Sequence, residues 1–327
     1  MNKQNLLADP RPSLSHDAQE SSSENASADP QPKPSGTQPG AKRHLSILKA
    51  ILVELLLGGA AVIGAIVVYR QGLLPILDAA LQLDPELLSA LRRMGIPLVA
   101  VLGYWAYVRW FEKRDVTELR LQPFNLLLGG LSGALLVVLP ITLLFALGAY
   151  ELMQFRGFSS ALLGVGVLIV VAATLEELIY RCLLFRVLER GWGTGIALIA
   201  QSLVFALMHM GNLAQGEVSD VATMLVSVTL LGLLWSGVYV LTRNLWVAVA
   251  NHACWNFTIL LCGVPLSGNE DWRALAPFES RYAGPDWLTG GMFGPENSLL
   301  VILTVSVATG VLLRTAKRRG AFLKPRI

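Results

Sequence analysis

The chain has 327 residues, 54% of them hydrophobic and only 15% charged, with a formal net charge of +3. Soluble domains carry about 25% charged residues, so this composition, a mean hydropathy of +0.54 and repeated long apolar runs exclude a water-soluble globule and define an all-α, polytopic membrane protein. The positive excess lies in short loops and no basic pattern interleaves with aromatics, which excludes nucleic acid as a partner.

In chain order, residues 1–41 are rich in Ser, Pro, Gln, Asn, Asp and Glu and nearly free of aliphatics. Such a segment cannot bury enough apolar surface to offset its ordering entropy, so it reads as a disordered cytoplasmic tail. The first apolar stretch begins too late and runs too long for a cleavable signal peptide. About eight transmembrane helices follow, over roughly 47–69, 96–111, 126–147, 161 onward, 196–210, 221–241, 245–262 and 299–313. They group into N-terminal helices (45–158), a core (159–262), an extracytoplasmic loop (263–298), and a last helix with a basic tail (299–327). An amphipathic link holding Pro75 and Pro85 separates the first two helices, and the 263–298 loop, with Trp272 and Trp287, reads as a solvated connection. Cys182, Cys254 and Cys262 have neither metal-ligand spacing nor a disulfide framework and read as small buried hydrophobes.

Placing the amino terminus inside puts Lys113, Arg114, Arg186, Arg190, Arg243 and the 314–319 cluster on the side of Lys42 and Arg43. By the positive-inside rule this predicts an integral protein of the plasma membrane with both termini cytoplasmic. The stretch 159–190 is too long for a bare span: as one helix it covers about 45 Å against a hydrocarbon core of about 30 Å. Its Cys182–Arg190 portion is therefore expected to project into the cytoplasmic interface, with Gly191, Gly193 and Gly195 ending the helix and turning the chain.

Within that stretch stand Glu176, Glu177 and Arg181. A charge at bilayer depth costs about 2.5–3.5 kcal/mol on insertion scales, so it is seldom present without a task. Glu177 and Arg181 are four apart and share a helix face, while Glu176 points about 100° away. One carboxylate is thus neutralised by the arginine and the other is left for chemistry. His209 ends the fifth helix about as far after the glycine turn as Glu176 lies before it, so the two reach similar depth. His252 and Asn256 share a face of the seventh helix.

These six side chains suit hydrolysis. A glutamate in a low-dielectric site is a base for water, histidine orients that water or returns a proton, and a histidine with an amide can donate to an oxyanion. Glu176, His209 and His252 are equally a zinc-ligand set with an open position for water, although the His-Glu-x-x-His signature is missing. The plainer alternatives are an interfacial ion pair for Glu176, Glu177 and Arg181, a capping role for His209, and interhelical hydrogen bonds for His252 and Asn256.

The segments EELIYR, FALMH and HACWN, in that order, resemble the three motifs of the CPBP family, the CAAX prenyl endopeptidase and bacteriocin-processing proteins: Glu-Glu-x-x-x-Arg, Phe-x-x-x-His and His-x-x-x-Asn. The likeness covers roughly 161–261. It implies an intramembrane endopeptidase of about eight helices, whose best-known members trim the last three residues of prenylated proteins. By that likeness Glu176 is the base for water, Glu177 and Arg181 support it, His209 acts with the water, and His252 and Asn256 hold the oxyanion. The family's need for a divalent metal such as zinc is argued both ways. The expected partner is a membrane-associated peptide or lipidated protein, reaching the site from the cytoplasm or laterally from lipid. Two other functions compete: a proton-coupled transporter, for which the chain shows neither inverted repeats nor a broken helix, and a noncatalytic scaffold or immunity-type protein.

Overall fold

The computed structural model describes residues 39–213 and 216–325. The tail expected over 1–41 lies outside the described residues except for its last three, which already belong to a helix. The elements run α1 (Pro39–Val67), a π-helical turn (Val68–Leu73), α2 (Leu74–Leu81), α3 (Pro85–Ala106), α4 (Pro123–Ala146), β1 (Tyr150–Phe155) and α5 (Ser160–Glu177). A second π-helical segment (Leu178–Phe185) leads into α6 (Arg186–Met208), α7 (Val218–Thr242), α8 (Leu245–Leu261), β2 (Phe278–Tyr282), α9 (Asp286–Thr289) and α10 (Leu299–Arg318).

Among the described residues six helical stretches are long and apolar enough to cross a membrane, and α8 is a shorter apolar helix of 17 residues. One of the six, Ser160–Met208, is 49 residues long, about twice what a bilayer accommodates. It is bent back at Gly193, whose φ of 78° and ψ of 167° leave the helical region. That conformation is essentially restricted to glycine. The turn therefore rests on one glycine, while Gly191 and Gly195 stay within the helical run, contrary to the expectation that all three end it. The two arms lie antiparallel: Tyr180 and Arg181, twelve or thirteen residues before the bend, meet Phe205, twelve residues after it. Counted as two arms, and with α8 included, the expected eight apolar helices are all present.

The bundle is helix on helix, α8 lying against α4, α5 and α7, and α7 against α6 and α10. The α4–α8 contact is a close backbone approach. A Cβ on Gly133 would sit 2.1 Å from the Asn251 carbonyl oxygen, and Asn251 Nδ2 donates to Gly129 O (3.1 Å) and Ser132 Oγ (3.0 Å). Small residues that admit a neighbouring backbone, with polar side chains bonding across, are how apolar helices hold each other in lipid. The next residue on α8 is His252, so this contact fixes its depth. On the outside, Leu131, Leu135 and Leu139 of α4 form an exposed apolar stripe.

At one end of the bundle an ion-pair network ties the connections. Glu112 pairs with Arg186 (2.6 Å), Arg190 (3.1 Å) and Arg114 (2.8 Å), and Arg190 also reaches Glu54 on α1 (2.5 Å). Glu189 pairs with Arg243 (2.5 Å). Burial pushes the Glu112 carboxyl up, but hydrogen bonds from Arg186 and Arg114 outweigh it and hold its pKa down at about 2, so this carboxylate stays charged at any physiological pH.

At the other end the loop 263–298 is not the plain solvated connection expected of it. Its strand β2 pairs antiparallel with β1, from Tyr150 opposite Tyr282 to Phe155 opposite Phe278 with a register shift between Leu152 and Gln154, and the Tyr150 and Tyr282 rings stack at 5.0 Å. The sheet anchors the loop, and Leu266, Phe293 and Glu296 within the loop are buried.

Candidate active site

The two glutamates face different surroundings. Glu177 is completely buried; its Oε2 lies 3.1 Å from Arg181 Nε and its Oε1 lies 2.9 Å from His252 Nδ1. Arg181, equally buried, also lies over the Phe205 ring (4.7 Å) and reaches the Gly232 carbonyl at 3.5 Å. Gln201 donates to the same carbonyl at 3.1 Å, so α5, α6 and α7 are knotted together at this level. Glu176, by contrast, keeps 31% of its side chain exposed and lines a cavity of about 210 Å³.

His252 stands between the carboxylates. Its Nε2 is 3.9 Å from Glu176 Oε2, and its ring stacks on Trp235 at 3.7 Å with an interplanar angle of 17°. A carboxylate only accepts hydrogen bonds, so Nδ1 donates to Glu177, and in the neutral ring Nε2 is left as a lone pair toward Glu176. His252 therefore donates to an oxyanion only when doubly protonated. Its strongest contact is to Glu177, which the shared face with Asn256 did not reveal. His209 is arranged alike: Nδ1 lies 2.8 Å from the Phe205 carbonyl, which accepts, leaving Nε2 as the free nitrogen. His209, His252 and Asn256 all line the cavity with Glu176, and the Asn256 amide oxygen has no protein partner.

The zinc set Glu176, His209 and His252 does not assemble. Among the described residues no three His, Cys, Asp or Glu side chains come together as a metal site. His252 Nε2 stands 3.9 Å from Glu176 Oε2, and the Nδ1 atoms of His252 and His209 are engaged by Glu177 and the Phe205 carbonyl.

The loop adds residues that the motifs did not indicate. Leu266, Ser267, Asn269, Trp272 and Glu296 complete the cavity. Glu296 is fully buried; it accepts from Ser267 Oγ (2.5 Å) and Trp255 Nε1 (3.3 Å), and burial raises its pKa despite those bonds. A segment of mixed composition without periodicity gave no sign that its glutamate turns inward. Because the raised pKa means that the folded state holds the proton more tightly than the unfolded chain, ionisation disfavours the fold as pH rises from the ordinary carboxylate range through the raised value. E296Q removes that penalty. Its thermal midpoint in detergent is expected to exceed that of the parent at alkaline pH, with the difference vanishing in acid; equal midpoints throughout would show that Glu296 ionises without cost.

Helices long and apolar enough to cross a membrane, bundled around a buried Glu–Arg–His cluster that borders a cavity, define an integral membrane protein. Residues 158–258, which hold all six motif side chains, match the family model described as type II CAAX prenyl endopeptidase Rce1-like, in agreement with the CPBP resemblance. The match supports a membrane endopeptidase. Comparison with curated proteins and with solved structures returned no match.

Proposed function

We propose that this protein is an intramembrane endopeptidase that hydrolyses a peptide bond of a membrane-associated, lipid-modified or lipid-embedded substrate with water activated by Glu176. The observation that carries the reading is the division of labour between adjacent carboxylates: Glu177 is neutralised in the core by Arg181 and His252, and Glu176 opens on the cavity. Glu176 takes a proton from water as the oxygen attacks the scissile carbonyl. The oxyanion that forms is received by the Asn256 amide and, when doubly protonated, by His252. The proton passes to the departing nitrogen as the C–N bond breaks, giving a carboxylate and an amine. His209 Nε2 orients the water. Glu177 and Arg181 are positioning residues that hold His252 in its tautomer and plane, as second partners of catalytic histidines do.

The test is hydrolysis of lipidated and transmembrane peptides by purified protein in ¹⁸O-labelled water, with and without a chelator. One labelled oxygen in the new carboxylate and indifference to the chelator are expected. Intact peptide throughout such a panel, with folded protein, overturns the reading.

A further inference from the structure

The cavity has a direction along the bundle. From Trp235 its α7 wall continues through Leu231 and Val228 toward the start of that helix. The α6 wall continues from Phe205 through His209 to Asn212, beyond the helix end, and the α8 wall from His252 to Asn256. All of these run toward the end of the bundle that holds the 263–298 loop, whose Ser267, Asn269 and Trp272 form the rim. Asn269 is exposed, and Asn212 Nδ2 donates to the Ser267 carbonyl at 2.9 Å across the mouth.

Toward the opposite end the site is sealed. Leu178, Arg181, Gln201, Trp235 and Tyr239 form a layer in which no residue is more than 2% exposed. Behind that layer lies the network of Glu112, Arg186, Arg190, Glu189 and Arg243, with Lys317, Arg318 and Arg319 following on the same end. Compared with the sealed end, the open end holds fewer Lys and Arg. Its arginines Arg156, Arg273 and Arg281 are each tied to a glutamate, at 2.8, 3.2 and 2.5 Å, in a loop rich in Asp and Glu. Around the junction of α2 and α3, Arg70, Arg92 and Arg93 are matched by Asp78, Asp84 and Glu86. Lys and Arg in short connections mark the cytoplasmic face.

We infer that the cavity opens to the extracytoplasmic side, so that its substrate is a peptide segment at the outer surface of the membrane and not a prenylated cytoplasmic carboxyl terminus. This rests on the endopeptidase reading above for the word substrate, but the direction of opening does not. It reverses the expectation of cytoplasmic access. The exposed side chains of Asn212 and Asn269 at the rim suit the backbone of an extended peptide, and Trp272 suits its juxtamembrane position.

The test is covalent labelling with a membrane-impermeant maleimide, comparing A172C inside the cavity, N269C at its rim and K317C at the sealed end, each corrected for the parent's own cysteines. In intact cells A172C and N269C are expected each to gain one adduct, whereas K317C gains it only in inverted vesicles. Labelling of A172C or N269C from the cytoplasmic face alone, or of A172C from neither face, overturns the proposal. Because adducts and not hydrolysis are measured, an inactive peptide assay leaves this result standing and counts only against the endopeptidase reading.

Discussion

E176Q is expected to lose peptide hydrolysis by about 10²–10⁴-fold, the contribution of a positioned general base, while the protein remains folded in the membrane. The substitution preserves volume and one hydrogen-bonding oxygen, and the side chain is partly exposed to the cavity, so little packing is disturbed. E177Q is the informative companion. Glu177 does not itself line the cavity; it acts through His252, at 2.9 Å, and Arg181, at 3.1 Å. Its loss should alter both stability and the pH profile of hydrolysis, because it replaces the anionic acceptor facing His252 and Arg181 with a neutral amide that can also turn its NH2 group toward them. An E176Q protein that hydrolyses peptide at the parental rate would remove Glu176 from the role of base.

The second large effect concerns stability. R181M is expected to destabilise the fold by about 3–5 kcal/mol, since removing one partner leaves the other as an uncompensated buried charge. Arg181 and Glu177 are both fully shielded from solvent, and the guanidinium also loses its places over Phe205 and against the Gly232 carbonyl. The double variant E177Q/R181M should recover much of the loss, because a buried pair replaced as a unit is often close to neutral. Thermal unfolding in detergent measures both. A midpoint for R181M equal to that of the parent would mean that the pair is solvated and that the sealed layer beneath the cavity leaks.

Those two effects could be framed before any coordinates, because the acidic motif, the spacing of four to Arg181 and the symmetric placement of Glu176 and His209 about Gly193 are properties of a helical hairpin. Hydrophobic run length located the spanning helices for the same reason. What escaped was everything that depends on meetings between distant segments. The pairing of Tyr150–Phe155 with Phe278–Tyr282 joins two short strands more than a hundred residues apart, and no local periodicity signals it. The inward turn of Glu296 depends on Trp255 and Ser267, which stand on other elements. The His252–Glu177 bond is legible only once α8 has been set in depth by the close approach of Gly133 to Asn251. The π-helical form of Leu178–Phe185 likewise has no compositional mark.

The bend at Gly193 bears on how the molecule is made. A Cβ there would fall 2.9 Å from Pro325 N and 3.0 Å from Leu323 O, because the end of the chain lies across the bend. Thr194 N donates to Leu323 O at 3.2 Å, Thr194 Oγ1 accepts from Leu323 N at 2.8 Å, and Arg243 Nη2 donates to Ala321 O at 2.8 Å. A nascent chain inserts its hairpin more than a hundred residues before these partners leave the ribosome, and domains generally begin folding amino-terminus first. The turn that joins the arms carrying Glu176 and His209 thus receives these ties long after the hairpin itself has been inserted. Truncation beyond Arg319 would leave each motif residue in place yet remove these ties to the bend.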